Sequence, residues 1–262
     1  MLQSTIYCFY TPSHERLFNQ YFAPSIPESF QIKARFLKKQ FCPSSEFRST
    51  GWKESQIEKV SYWIESIKDS YGKVITCSDV DAQFFGITPS IIENSLRDRD
   101  IAIQWNGCCP EPLCSGFFIC RANQATLELF QRIKNYLIEN TKCLGEQEAL
   151  NRILGTWFSK KRVNREQRLR SIHSEYTLLK TTNPLSSSIK NRLFGYYKSC
   201  LNVRWAVLPH RLYWLPGYLY DSPEELSPPR GMVLHHANWT IGIENKLTQL
   251  EVIKKHNDSQ NL

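Results

Sequence analysis

Two aspartates directly follow an apolar run in the segment Val74–Asp81. The run is rich in β-branched residues, as in a buried strand. Residues two apart in an extended chain point to the same side, so the carboxylates of Asp79 and Asp81 are expected to lie together where the strand ends. Open α/β sheets bind ligands at this end of their strands. Neighbouring carboxylates repel each other, and a hard divalent cation such as Mg²⁺ or Mn²⁺ offsets that repulsion.

A second polar segment begins at His235, near the end of the chain. His236 and Asn238 share strand parity and His235 faces the other way, which makes His236 the predicted metal ligand. Gly242 lets the backbone approach a phosphate, and Lys246 offers positive charge to a diphosphate. An imidazole nitrogen beside oxygen ligands makes Mn²⁺ at least as suitable as Mg²⁺.

Each of these residues also has an ordinary structural interpretation. Two aspartates at a strand end, a core histidine, a turn glycine and a surface lysine are all common when taken one at a time. Their occurrence in this order, after an apolar strand, favours a ligand site.

Strand and helix patterns alternate along the chain. Period-two or apolar runs predict strands at 6–10, 74–77, 101–104, 116–120, 205–208 and 232–236, and helical periodicity predicts helices from His14, over 57–67, after Asn123 and over 146–158. This alternation predicts an α/β fold with a mainly parallel sheet covered by helices. The length of 262 residues suits a single domain, expected to span 1–248 and to be followed by a polar tail at 249–262.

The composition excludes several classes of protein. No apolar run approaches the roughly 20 residues of a membrane span, and the N-terminus lacks the features of a signal peptide, so a cytoplasmic protein is expected. Nine cysteines, an odd number without matched Cys-x-x-Cys pairs, favour reduced thiols over disulfides or a zinc site.

The net charge of +8 suits an anionic partner. The densest basic run, Lys160–Arg170, contains no aromatic residue, which argues against nucleic acid as the partner. The anionic partner can still be a nucleotide. The basic run can also make peripheral contact with an anionic membrane surface.

Four landmarks in chain order resemble the nucleotide-diphospho-sugar transferase family, which includes plant cell-wall xylosyltransferases. They are Ser78–Asp81, Ser115–Ile119, Glu146–Asn151 and the segment from His236 to Lys246. The last is also similar to the His-x-x-Gly-x-x-Lys signature of glycogenin-like transferases, with longer spacers. The resemblance implies a GT-A fold, a three-layer α/β/α sandwich around a mainly parallel mixed sheet.

The resemblance also implies roles for individual residues. Asp79, Asp81 and His236 would hold the metal; Tyr10, Thr11, Lys59, Asn238, Gly242 and Lys246 would bind the nucleotide and its diphosphate; Ser115 and Gly116 would contact the donor sugar or the acceptor; and Glu146 and Gln147 would face the donor sugar as catalytic candidates. Glu146 stands where relatives carry aspartate, one methylene shorter, which indicates a different sugar or a different reach.

The reaction implied by the resemblance is metal-dependent transfer from a nucleotide-sugar donor, usually a UDP-sugar, with retention of the anomeric configuration. The acceptor is a glycan, a lipid-linked molecule or a protein. Two alternatives stay open at this point. One is a phosphatase of the haloacid-dehalogenase type, which also places Asp-x-Asp after a strand. The other is a non-catalytic module that binds a sugar or a nucleotide on the same scaffold.

Overall fold

A computed structural model describes residues 4–42, 49–106, 111–143, 145–156, 202–216 and 226–260. Its strands are β1 (Ser4–Tyr10), β2 (Phe30–Phe36), β3 (Val74–Ser78), β4 (Ala82–Phe84), β5 (Ile101–Trp105), β6 (Leu113–Arg121), β7 (Trp205–Val207), β8 (Tyr213–Trp214) and β9 (Leu234–His236). Six of them form the main sheet in the order β2-β1-β3-β6-β5-β7. In this sheet β6 runs antiparallel to both neighbours, and the other pairs are parallel. The remaining three form a small sheet in the order β4-β9-β8.

Helices cover both faces of the main sheet. They are α1 (Glu15–Leu17), α2 (Ala23–Ser25), α3 (Trp52–Asp69), α4 (Pro89–Leu96), α5 (Gln124–Glu139), α6 (Glu146–Ile153) and α7 (Ile243–Gln260), with a 3₁₀ turn at Pro12–His14 and a π-helical turn at Phe18–Phe22. None of the described helices combines the length and the apolar character that crossing a membrane requires.

Alternation along the strands produces two cores. On β6, Phe118 packs with Trp63 of α3 and Phe130 of α5, whereas its neighbour Phe117 packs on the opposite face with Phe84 of the small sheet. Successive strand residues point to opposite faces, so a continuous apolar strand fills a core on each side. The predicted three-layer α/β/α architecture is confirmed.

Most predicted elements are present with shifted ends. Asn123 caps α5 as expected, because its side chain accepts a hydrogen bond from the backbone N–H of Thr126. The first helix, α1, begins at Glu15, one residue after the predicted start, because Pro12–His14 form a 3₁₀ turn. The predicted basic run Lys160–Arg170 lies outside the described residues, as do Cys108 and Cys109. Each of the six described cysteines is a buried thiol.

The segment predicted as a polar tail, 249–262, is helical through Gln260 as part of α7. Gln249, Leu250 and Ile253 are buried, so the expectation of a tail is wrong for these residues. The apolar positions are sparse and widely spaced in a polar sequence, which conceals one buried stripe on an otherwise solvated helix.

A buried carboxylate, Asp100, joins β5, β7 and α5. Asp100 accepts hydrogen bonds from the backbone N–H of Arg204 at 2.8 Å, from the Arg204 guanidinium and from Asn123 Nδ2 at 3.0 Å. Burial opposes ionisation, but these donors lower the pKa of Asp100.

We predict that Asp100→Asn lowers the free energy of unfolding by about 1–3 kcal/mol at pH 7, because buried donors lose a charged acceptor. Since the pKa of Asp100 is lowered in the folded state, its contribution is complete above its unfolded value near 4 and disappears as the pH falls below that value. Urea unfolding at pH 7, 5 and 3.5 measures this. Asp98→Asn, an exposed neighbour, is the control, and an equal effect of both substitutions at pH 7 would contradict the assignment.

Candidate functional site: a cluster of two aspartates and a histidine

The connection between β3 and β4 carries both aspartates at the edge of the main sheet. Asp79 donates its backbone N–H to the carbonyl of Gly116 at 2.7 Å, which ties it to β6. The Asp81 carbonyl accepts the backbone N–H of Ala237 at 2.8 Å, which ties it to the segment after β9. Backbone hydrogen bonds to two different sheets therefore hold the two carboxylates in place.

The pairing of β5 with β6 has an irregularity next to the two aspartates. Ile103 pairs with Phe118, but the next residue, Gln104, pairs with Cys114, so Ser115, Gly116 and Phe117 leave the ladder between β5 and β6. Such bulges occur next to active sites because they redirect the chain locally. Here the bulge brings the Gly116 backbone against the carboxylates.

His236 completes the cluster from the small sheet. One ligand atom from each of Asp79, Asp81 and His236 lies within 4.8 Å of the others. His236 Nε2 is 3.2 Å from Asp81 Oδ1. A methyl group at Gly116 would lie 2.4 Å from His236 Cε1 and 2.9 Å from Asp79 Oδ2. The cluster can therefore close only because residue 116 has no side chain.

Gln104, which the sequence analysis did not single out, determines the orientation of the imidazole. Its Nε2 donates to the carbonyl of Tyr213 at 3.2 Å, so its Oε1 faces His236. His236 Nδ1 lies 2.8 Å from that oxygen and must donate to it. Nε2 is thereby directed at Asp81 and the cluster, the arrangement typical of a metal-binding histidine.

A buried lysine joins the cluster to helix α6. Lys59 Nζ lies 2.5 Å from Asp79 Oδ1 and 2.9 Å from Glu146 Oε1. Ser115 Oγ also donates to Glu146 Oε1, at 2.8 Å, and the Gln56 amide nitrogen reaches the same oxygen at 3.1 Å in the orientation that satisfies both groups. Burial opposes the charge on Lys59, but Asp79 and Glu146 raise its pKa.

A second lysine, Lys246 of α7, contacts Asp81 directly and lies 3.1 Å from the carbonyl of Ala237. Burial alone would raise the pKa of Asp81, but Lys246 and His236 hold it well below its usual range. Burial opposes protonation of His236, yet Asp81 and Cys114 raise its pKa to about 10. The site thus strongly favours positive charge beside Asp81.

The segment from Ala237 to Gly242 is held by the side chain and the backbone carbonyl of Asn106, which follows β5. Asn238 Nδ2 donates to Asn106 Oδ1 at 2.9 Å, and Trp239 Nε1 donates to the Asn106 carbonyl at 3.2 Å. Trp239 has a left-handed backbone (φ 68°), which is strained for a bulky residue, and Gly242 has φ 86°. Because Asn238 donates to Asn106, its amide NH₂ helps to anchor this segment.

The end of β1 lies on the same edge of the sheet. Tyr10 stacks on Phe18 with ring centroids 4.5 Å apart, and Phe36 of β2 lies 5.2 Å from Tyr10. Thr11 follows β1, and its Oγ1 is 3.4 Å from His14 Nδ1. An aromatic group and a short polar stretch therefore stand beside each other at the end of this strand.

Gln147, the other catalytic candidate, contacts a residue that the sequence analysis missed. Its Nε2 donates to Glu111 Oε2 at 2.8 Å, and Glu111 is buried. Neither Glu111 nor Asn106 belongs to a motif, so no sequence signal marked them. Gln104 did carry a weak signal, as the polar residue that ends an apolar strand.

The residues of the cluster fit a divalent cation. Asp79, Asp81 and Glu146 contribute three carboxylates, and Lys59, Lys246 and the protonated His236 balance them when no metal is bound. Two carboxylates with one neutral imidazole form a donor set suited to Mn²⁺ or Mg²⁺. A divalent cation would replace the proton of His236 at the cluster.

Comparison with known proteins identifies the type of chain. A model of the nucleotide-diphospho-sugar transferase family matches residues 70–250, more than half of the chain. The fold is similar to that of a glycosyltransferase involved in the glycosylation of the major capsid of PBCV-1, with a TM-score of 0.53 and 10% identity over 97% of this chain and 100% of that one. The apo-form glycosyltransferase GlyE of Streptococcus pneumoniae TIGR4 gives a TM-score of 0.46 and 10% identity, covering 99% of this chain and 64% of that one. The comparison with curated proteins returned no match.

The matched range includes all four sequence landmarks, from Ser78 to Lys246. The family match contradicts the hypothesis of a phosphatase, because the family consists of transferases that use nucleotide-diphospho-sugars. The hypothesis of a non-catalytic module finds no support in this match. The structural likeness to the viral enzyme supports the fold.

We predict that Gly116→Ala lowers the affinity for Mn²⁺ by about 10–100-fold, the range seen when the surroundings of metal ligands are disturbed. The new methyl group would displace His236 or Asp79. Isothermal titration calorimetry with Mn²⁺ measures the effect. Gly72→Ala, in a turn where a methyl group meets no atom within 4 Å, is the control. Its φ of 85° makes alanine unfavourable for stability there, but the methyl group touches no residue of the cluster. Unchanged Mn²⁺ affinity in folded Gly116→Ala protein would show that the cluster does not bind the ion.

Proposed function

Because the chain belongs to the nucleotide-diphospho-sugar transferase family, we propose that it is a metal-dependent transferase that uses a UDP-sugar and retains the anomeric configuration. One observation carries the proposal: the neighbouring Asp79 and Asp81 meet His236, which is distant in sequence, within 4.8 Å over the bare backbone of Gly116. The acceptor is a glycan, a lipid-linked molecule or a protein.

Asp79, Asp81 and His236 would hold the metal, with His236 Nε2 as the nitrogen ligand. When bound, a divalent ion such as Mn²⁺ supplies Lewis-acid stabilisation of the charge on the leaving diphosphate. Gln104 keeps the imidazole in the required orientation, and Lys59 neutralises the side of Asp79 that faces Glu146.

The nucleotide would bind along the same edge of the sheet. Tyr10 and Thr11 stand where the base and ribose would lie, with Phe18 and Phe36 supporting the tyrosine ring. Gly242 opens the N-terminus of α7, where backbone N–H groups and the helix dipole favour phosphate. Lys246, four residues on, would move its ammonium group from Asp81 to the diphosphate.

The contacts of Glu146 support attack on the sugar from the side of the leaving group. Its carboxylate interacts with Lys59, Ser115 and Gln56, which makes it a weak nucleophile. Same-face attack needs no enzymic nucleophile, and retention of configuration follows. Glu146 and Gln147 would instead orient the donor sugar, together with Ser115 and the Gly116 backbone.

We predict that Asp81→Asn reduces sugar transfer, and donor hydrolysis without acceptor, by at least about 100-fold, because a metal ligand and the charge that stabilises the leaving group are lost. Chromatography of the released UDP measures turnover of UDP-sugars with Mn²⁺. Asp69→Asn, an exposed aspartate at the end of α3, is the control. Full turnover by Asp81→Asn would refute the metal assignment.

A further prediction separates the two cations that compete for Asp81. Lys246→Met is expected to weaken UDP binding by about 10–100-fold, because a charge-assisted hydrogen bond to the diphosphate is lost. The same change is expected to strengthen Mn²⁺ binding in the absence of nucleotide, because Asp81 loses its competing ammonium partner. Calorimetry gives both affinities, and Lys254→Met on the same helix is the control. Weaker binding of Mn²⁺ alone by Lys246→Met would contradict this role.

A further inference from the structure

A second polar cluster lies between the small sheet and α7, next to the cluster of Asp79, Asp81 and His236. It contains Thr240, Gln249, His235 and Gln83, of which the last three are 3%, 0% and 4% exposed. Thr240 Oγ1 donates to Gln249 Oε1, and Gln249 Nε2 lies 3.2 Å from His235 Nε2. Trp214 covers the imidazole with its ring centroid 5.2 Å away. The two histidines of β9 therefore have different partners: His236 faces Asp81, and His235 faces Gln249 of α7.

The hydrogen bonds determine the tautomer of His235. Since Gln249 Oε1 accepts the Thr240 hydroxyl proton, Gln249 presents its NH₂ group to His235. His235 Nε2 must then accept, and the ring proton resides on Nδ1.

The donor on His235 Nδ1 has a matching acceptor across the sheet. Among the described residues, His235 Nδ1 and Gln83 Oε1 are buried atoms without a hydrogen-bond partner. The two residues stand directly opposite each other in the antiparallel pair of β4 and β9. Opposed residues have Cβ atoms roughly 5 Å apart. One buried water joining the N–H to the carbonyl would satisfy both atoms.

Thr240, Gln249, His235 and Gln83 form one line of polar contacts. Each of these residues is close in sequence to a residue of the proposed site. Gln83 lies two residues after Asp81, and His235 immediately precedes His236. Thr240 lies two residues before Gly242, and Gln249 lies one helical turn after Lys246 on α7. The line thus connects the backbones of β4, β9, the 237–242 segment and α7. That segment contains the strained Trp239, whose left-handed conformation persists only if its surroundings hold it.

We propose that Thr240, Gln249 and His235 are positioning residues that hold the diphosphate-binding segment against the metal ligands, with His235 as the neutral Nδ1–H tautomer. The inference rests on the proposed function. Removing the Thr240 hydroxyl takes away one anchor of the segment, while the contacts with Asn106 remain, and leaves the buried Gln249 Oε1 without its donor. The loss of one hydrogen bond of this kind corresponds to a roughly tenfold change in affinity.

The test compares Thr240→Val with Thr248→Val, in which an exposed threonine of α7 is changed in the same way. With saturating Mn²⁺, UDP is expected to bind Thr240→Val about tenfold more weakly than wild type and Thr248→Val equally well. The midpoint of urea unfolding is measured for each variant, because a merely structural role would move that midpoint and leave the affinity of the folded protein unchanged.

A spectroscopic measurement tests the tautomer independently. Two-bond ¹H–¹⁵N correlation spectra of the full chain are expected to show His235 protonated at Nδ1 alone, with its signal shifted in Gln249→Leu. An Nε2–H tautomer, or wild-type UDP affinity in Thr240→Val, would overturn the inference. If wild type binds neither UDP nor GDP with Mn²⁺ while His235 is the Nδ1–H tautomer, the proposed function fails and the hydrogen-bonded line remains.

Discussion

Two carboxylates held beside each other in a largely buried site require a positive partner, and the rest of the site is organised around that requirement. Asp79 and Asp81 cannot separate, because the backbone on either side is hydrogen-bonded into a different sheet. Lys59 of α3 forms an ion pair with Asp79, and Lys246 of α7 forms one with Asp81. His236 supplies the imidazole, whose Nε2 points into the same space. The arrangement could hold a cation.

The fold meets this requirement with few parts. The reversal of β6 and its bulge over residues 115–117 place the bare backbone of Gly116 against the carboxylates. Pairing of β4 with β9 then brings His236 opposite Ala82, the residue after Asp81. Because β4 begins immediately after Asp81, its pairing with β9 in the small sheet places His236 beside that aspartate. Glycine at 116 follows from this geometry, since any side chain there would occupy the space of the imidazole.

Behind the charged residues, neutral hydrogen bonds determine which atoms face the cluster. Gln104 orients His236 from one side, and the line from Thr240 through Gln249 to His235 supports the same strand from the other. Glu146 is held by Lys59, Ser115 and Gln56, in a network that joins α3 and β6 to α6.

The sequence by itself determined the layered α/β architecture and the cluster of two aspartates and His236, because alternation and strand parity are local properties that survive folding. The strand β2 also has a sequence signal, the period-two pattern at Phe30, Ile32, Ala34 and Phe36. The buried stripe of α7 has almost none, because polar residues surround its few apolar positions. Only the tertiary structure decided the roles of Gln104, Asn106, Glu111 and Gln249. Their partners come from distant segments, and a polar side chain carries no mark of its partner until packing brings the two together.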